Sequence, residues 1–371
     1  SSPTPWCVPV PRVPKTPLTL SQQIDAQIRE TGPMSIATYM GLALGHPRHG
    51  YYTMGRPLGS AGDFITAPEI SQMFGELVGF FIVNLWQQMG EPKSFTLLEL
   101  GPGRGTLMQD ALRAASRADG FENALHLQLF EQNALLKGEQ EKRLGKYSPY
   151  WASDLDAFGE DPIFVVANEF CDALPIKQFI RTDDGWHERL VGLRDGARAF
   201  GLSPTPISES AAPAEVRGAY AGEVLELSTA AIDAMQRLSR KVALQGGAIL
   251  AIDYGYERTQ TGETLQAVQS HAFADVLDAP GEADISAHVN FGVLADAARA
   301  TGLAVAPLAH QGEWLLRLGI GERAKALARA NPSEAGNIAR AVERLTSPKQ
   351  MGTLFKVLCA HSPGLRPAGL A

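Results

Sequence analysis

The sequence predicts an α/β fold of alternating strands and helices, on three observations. The stretch Phe95–Leu100 is a short apolar run, followed by a turn holding Gly101, Gly103 and Gly105 and then by an amphipathic helix. In that helix Met108, Ala111, Leu112 and Ala115 fall at i, i+3, i+4 and i+7, so one face can lie on a sheet. Two β-branched runs, Ile163–Ala167 (IFVVA) and Gly247–Tyr254 (GAILAIDY), have the unbroken apolarity of strands covered on both faces. Such strands belong to parallel sheets flanked by helices.

Composition sets the class. A chain of 371 residues with 45% hydrophobic content can bury a sizeable core. Its net charge of -7 argues against a nucleic-acid binder that works by a general basic surface. No apolar run approaches the ~18 to 20 residues of a spanning helix, and membrane insertion is not expected. Cys7, Cys171 and Cys359 are an odd number without metal spacing, and the eight histidines form no H-x-x-x-H pattern. Metal-free chemistry in a reducing compartment is the expectation.

In order along the chain, residues 1–17 carry six prolines and read as an extended tail. Leu20–Glu30 and Ser35–Leu44 read as helices, the second capped by Ser35. A Gly-rich aromatic loop from Gly45 leads into a helix expected from about Glu69 to Met89; Asp63 and Phe64 within it are candidates for a lid over the site, or for a structural turn that docks the N-terminal helices. His49, Tyr51 and Tyr52 are open between site and packing. After the glycine-turn helix, Leu125–Phe130 is a second strand ending in Glu131, about 30 residues after the first glycine, where a carboxylate can meet ribose hydroxyls. A solvated strand-end carboxylate is the alternative. A third, weakly marked strand precedes Trp151–Asp154, and Asp154 is taken as a further cofactor contact.

The fourth strand leads into Asn168, Glu169 and Asp172, at the end of the sheet where α/β ligands bind; a helix cap is the other reading of Asp172. Lys177–Ala199 reads as antiparallel strands turning at Asp183-Asp184-Gly185 and Asp195-Gly196. Ser228–Leu244 is a helix with Ile232, Met235, Leu238 and Val242 as its stripe. The stretch 255–291 reads as irregular, 292–301 as a helix, 305–319 as a hairpin, 322–345 as one or two helices, and 351–360 as a closing strand.

The glycine turn reads Glu99-x-Gly101-x-Gly103-x-Gly105, whose third glycine comes one residue earlier than in the dinucleotide fingerprint. An acidic residue two before the first glycine suits a cationic ligand end. Both features point to S-adenosylmethionine, with its ammonium and sulfonium, rather than to NAD with its pyrophosphate. Glycines serve there by letting ligand approach the backbone, and the helix start adds free N–H groups.

Six segments together resemble the MidA-like methyltransferases, a family that includes the mitochondrial complex I assembly methyltransferase. They are GHPRHGYYT (45–53), GDFITAPEISQMFGELVG (62–79), LELGPGRGTL (98–107), NEFCDALPIKQF (168–179), IDYGY (252–256) and ADISAHVNF (283–291). Cys171 departs from the Phe common in the family. The resemblance implies a class I methyltransferase core, a Rossmann-like mixed sheet with helices on both faces. The organisation expected is a tail at 1–17, a helical and lid segment at 18–92, a core at 93–361 and a tail at 362–371. Inserts are expected around 180–223, 255–291 and 320–348. The resemblance further implies that Glu99, Gly101, Gly103 and Gly105 hold the methionyl end of S-adenosylmethionine and that Glu131 binds its ribose. Gly62, Asp63 and Asp154 join the expected cofactor set. It implies a protein substrate, an arginine on the 49-kDa-type subunit of respiratory complex I, in the bacterial cytoplasm or the mitochondrial matrix.

A guanidinium is cationic in water and a poor nucleophile, so carboxylates that orient it are needed. Glu169, Asp172 and Asn168 are the expected catalytic residues. Two other readings stand beside this one: an assembly factor that keeps a cofactor pocket without chemistry, and an NAD-dependent oxidoreductase. A homodimer is left open.

Overall fold

A computed structural model describes residues 17–54, 66–156 and 159–370. Gly62, Asp63, Phe64 and Cys7 lie outside the described residues. The centre is a mixed sheet whose strands are, in chain order, β1 (Phe95–Leu100), β2 (Leu125–Phe130), β3 (Tyr150–Trp151), β4 (Ile163–Asn168), β5 (Gly247–Tyr256), β6 (Ala304–Val305) and β7 (Phe355–His361). In space they run β6-β7-β5-β4-β1-β2-β3. Strands β1 to β5 are mutually parallel where they pair, and β7 runs antiparallel between β5 and β6. One row across the sheet reads Gln128, Leu98, Val165, Ile249, Ala360 and Val305. The carboxyl ends of β1, β2, β4 and β5 therefore share one edge.

Helices cover both faces because alternate residues of each buried strand are apolar in both directions. On one face lie α1 (Gln72–Gln88) and α2 (Thr106–Ala115), packed on Leu97, Leu127, Phe164 and Leu250. Beyond β2 the chain forms α3 (Ala134–Leu144). The other face takes α4 (Thr229–Gln245) and α5 (Phe291–Arg299), packed on Leu98, Val165, Ile249 and Leu358. Each fully buried Leu, Ile or Phe contributes roughly 1.5–3 kcal/mol through surface removed from water. At the amino ends of the strands Trp86, Phe95, Phe121 and Phe164 stack edge-on or tilted, with centroids 4.9–5.7 Å apart along the chain of contacts.

The α1–α2 contact depends on absent side chains. A Cβ at Gly79 would lie 2.2 Å from the Ala111 carbonyl oxygen, and one at Gly75 would lie 2.7 Å from the Asp110 Cβ. The two glycines are four apart, on one face of α1, and let α2 approach to backbone contact.

Several elements depart from expectation. The helix expected from Glu69 to Met89 is broken at Ser71, whose extended backbone (φ -162°, ψ 137°) ends a four-residue helix, Ala67–Ile70, and whose hydroxyl caps α1. The stretch 255–291 is not irregular: Gln266–Gln269, Ala272–Ala274 and Asp284–Ser286 form a three-stranded sheet, too short in each strand to show alternation. The expected hairpin at 305–319 is instead β6 and a second two-residue strand, Ala309–His310, both pairing with β7, followed by the helix Gln311–Arg317. The closing strand begins only at Phe355, after a helical turn at Met351–Leu354. Residues after β7 fold back, with Leu370 buried and the Trp314 indole N–H donating to the Ala368 carbonyl.

Between β4 and β5 the chain makes a separate antiparallel sheet from Lys177–Thr182, Gly185–Arg194, Ala197–Leu202 and Val224–Leu227, with Met34–Ser35 at its edge. The turn Asp195-Gly196, with φ of 51° and 83°, closes the Gly185–Arg194 hairpin as its sequence predicts. The N-terminal helices, Leu20–Thr31 and Ile36–Gly45, bury Ile24, Ile28, Tyr39 and Met40 with Val191 of this sheet and Ile285 of the three-stranded one. Arg198 joins all three parts: its guanidinium reaches Asp25 (3.1 Å), the Ser21 hydroxyl (2.8 Å), and the carbonyls of Leu277 (2.7 Å) and Asp278 (2.9 Å).

Candidate active site

A cavity of about 330 Å³ opens at the carboxyl ends of β1, β2, β4 and β5. Its floor begins with Glu99, which the last turn of β1 carries inward at 3% exposure. Burial, with Glu131 nearby, pushes the Glu99 carboxyl up to about 8. Glu99 Oε2 has no hydrogen-bond partner among the described residues. Beyond it Gly101, Gly103 and Gly105 all take positive φ, of 61°, 53° and 81°. A side chain at Gly101 would also come within 3.1 Å of the Phe170 ring.

Glu131 follows β2 and is fixed by its neighbours. Its Oε1 accepts the backbone N–H of Gln132 and of Asn133, each at 2.8 Å, which leaves the carboxylate facing the cavity. Burial nevertheless raises its pKa above the usual carboxylate range. Gln140, fully buried on α3, donates to the Gly103 carbonyl (2.6 Å) and approaches Glu131 Oε2 (3.4 Å), while its own Oε1 accepts the Trp151 indole N–H (2.7 Å).

The opposite wall is the turn after β4. Glu169 has φ 50°, a left-handed conformation unusual for a residue with a side chain. Its Oε1 accepts the Ala67 N–H (3.1 Å) and the Asn168 amide (3.3 Å). Burial pushes this carboxyl to about 8, and Asp172 and Asp284 add to the rise. Asp172 lies on the same wall, its Oδ2 accepting the Tyr254 hydroxyl, and burial raises it to about 6. Asn168 Oδ1 and Asp172 Oδ1 are buried without hydrogen-bond partners among the described residues. No helix starts at Asp172, so the cap reading fails. Its turn is held instead by Asp253 Oδ2, which accepts the N–H groups of Cys171 (3.0 Å) and Asp172 (3.1 Å). Tyr52 reaches in from the N-terminal segment, its hydroxyl donating to Asp284 Oδ1 at 2.8 Å. Tyr51, next to it, is buried in the neighbouring core.

Residues 77–308 match a family model described as "Putative S-adenosyl-L-methionine-dependent methyltransferase". The chain is 35% identical over 374 residues to the mitochondrial protein arginine methyltransferase NDUFAF7 of Homo sapiens, covering 92% of this chain and 82% of the human one. It belongs to this methyltransferase family. The Danio rerio NDUFAF7 is 34% identical over 366 residues, covering 91% of this chain and 86% of the fish protein. Among solved structures, a Burkholderia thailandensis protein bound to S-adenosyl-homocysteine superposes with a TM-score of 0.82 at 27% identity, over 95% of this chain and 94% of that one. The class I sheet order and the dependence on S-adenosylmethionine are thus shown, and the NAD-dependent reading is set aside.

The residues of the methyltransferase fit its cofactor. An orphaned Glu99 oxygen suits an ammonium, glycines at positive φ open the backbone to a ligand, and the fixed Glu131 carboxylate offers acceptors to a diol. The structure does not bring Asp154 to this cavity. Its side chain is 56% exposed and paired with Arg237 of α4, because the chain turns away from the sheet after the two-residue β3. Gly62 and Asp63 fall outside the described residues. Sequence reading missed Gln140, Asp253 and Tyr254, each distant in sequence from the partner it holds; Asp253 and Tyr254 stood in the quoted IDYGY segment without a role. Among the described residues no helix is long and apolar enough to cross a membrane.

Proposed function

We propose that the enzyme transfers the methyl group of S-adenosylmethionine to a guanidinium nitrogen of an arginine in a protein, the 49-kDa-type subunit of respiratory complex I being its substrate during assembly. The observation that carries this reading is the wall after β4. Asn168 Oδ1 and Asp172 Oδ1 lack partners among the described residues and lie beside the raised Glu169 carboxyl. These groups only accept hydrogen bonds, or favour doing so once ionised, and a guanidinium only donates them. Apolar Phe170 and Leu174 beside them keep water from competing.

In this reading Glu99, Gly101, Gly103, Gly105 and Glu131 hold the cofactor, which supplies an electrophilic methyl when bound. Glu169 and Asn168 orient the guanidinium. The attacking nitrogen gains a methyl and loses one proton, and the product remains cationic. Asp172, pushed to about 6, is largely ionised at neutral pH, and its free Oδ1 accepts that proton. Tyr254 holds the other oxygen in place. The reaction belongs where complex I subunits meet before assembly, in the cytoplasm of a bacterium or the matrix of a mitochondrion. The names of the NDUFAF7 relatives support the arginine and the mitochondrial setting.

The test is incubation with methyl-labelled S-adenosylmethionine and the isolated complex I subunit, followed by peptide mass spectrometry. Label on an arginine is expected. Label confined to another residue type, or none in a protein that binds cofactor, overturns the reading.

A further inference from the structure

We infer that Glu69 is a positioning residue that ties the cofactor turn to the wall holding Glu169, so that the two halves of the cavity are aligned as one unit. The inference rests on the role proposed for Glu169. Glu69 sits on the short helix Ala67–Ile70, which touches both halves. Toward the cofactor side, Glu69 Oε1 accepts the Thr106 hydroxyl at 2.6 Å, at the first residue of α2. Its Oε2 lies 4.0 Å from the guanidinium of Arg104, a residue of the glycine turn, and Arg104 is itself fixed to Glu139 of α3 at 3.0 Å. Toward the other side, the same helix offers the Ala67 N–H to Glu169 Oε1 at 3.1 Å.

Thr106 and Glu69 thus fix the short helix from one end, and Ala67 transmits its position to Glu169 from the other. Packing of Ala67 and Ile70 against the core also holds this helix, which at four residues cannot stabilise itself and is cut off from α1 where Ser71 breaks the backbone. Glu169, with left-handed backbone and, among the described residues, only the Asn168 amide as a second donor, depends on the Ala67 N–H for its orientation. Glu69 needs no contact with substrate to affect the reaction.

The experiment is a double-mutant cycle read by kcat and KM for the subunit substrate, with S-adenosyl-homocysteine affinity by calorimetry and thermal midpoints alongside. Glu69→Ala is expected to lower kcat about tenfold or more with cofactor affinity changed less than threefold, and Glu69→Gln, which still accepts the Thr106 hydroxyl, to recover most of the loss. In a Glu169→Gln background, Glu69→Ala should cost little more, since the group it positions is already impaired. Full activity in Glu69→Ala, no recovery with Gln, or an equal loss in both backgrounds overturns the inference. Full activity in Glu169→Gln alone would instead remove the role of Glu169 on which it rests.

Discussion

Glu99, buried with one oxygen unpartnered among the described residues, and the half-buried Glu169 share the most testable property of the site, a raised carboxyl pKa. Each is raised to about 8 by burial. A carboxyl whose folded pKa lies above its unfolded value contributes stability that is fully present below the unfolded pKa and lost as pH rises through the folded one. The cofactor-free protein should therefore lose thermal stability between about pH 4.5 and pH 8, and Glu99→Gln should flatten part of that slope; identical slopes would show that Glu99 is already ionised. A cationic ligand end reverses the preference, so cofactor binding near pH 7 should release protons, fewer in Glu99→Gln, as read by calorimetry in buffers of different ionisation enthalpy. For Glu169→Gln the expectation is nearly unchanged cofactor affinity with methyl transfer down about 10²-fold, if the lost electrostatic contribution resembles other preorganised sites. A parallel loss of binding would make Glu169 a cofactor ligand.

At the scale of elements, the glycines of α1 are as consequential as those of the turn. Gly79→Ala gains up to ~1 kcal/mol of helix propensity, yet its Cβ would sit 2.2 Å from a backbone oxygen that cannot rotate away. The expected result is a net loss of roughly 1–3 kcal/mol as α1 and α2 separate, seen as a lower thermal midpoint; an unchanged midpoint would mean the helices slide without cost. This contact was present in the sequence as Gly75 and Gly79 of GELVG, but spacing alone does not say what approaches them. The central strands were legible because parallel strands buried on both faces leave continuous apolar runs, as in IFVVA. The strands of 255–291 were not, since three or four residues are too few for a period of two to emerge. That Glu131 and Glu169 line the cavity was readable from their places at strand ends. Gln140 and Asp253 were not, because their meaning lies in contacts that only the folded chain creates. Asp154 misled for the opposite reason: it follows a real strand, but one too short to carry it to the cavity.

In the whole molecule, the cavity wall that carries Glu169 is assembled from chain segments far apart in sequence: Tyr52 before the central sheet, Glu169 and Asp172 after β4, Asp284 in the three-stranded sheet. Arg198, with 9% of its side chain exposed, joins the N-terminal helix to the inserted sheet and to the 277–278 carbonyls. Arg198→Met should cost a few kcal/mol, as breaking a largely buried pair does, and should speed hydrogen exchange in residues 20–31 and 275–285 while S-adenosyl-homocysteine affinity holds. Equal loosening of β1 and β2 would show that the parts do not unfold separately. The sheet order has a consequence for synthesis on the ribosome. Strand β7 follows every other strand of the central sheet in sequence yet lies between β5 and β6, so the long apolar edge of β5 stays bare for about a hundred residues of translation. An uncovered edge of that kind invites pairing with another chain. Nascent chains arrested before Phe355 should therefore engage chaperones or aggregate, and release of seven more residues should end that exposure.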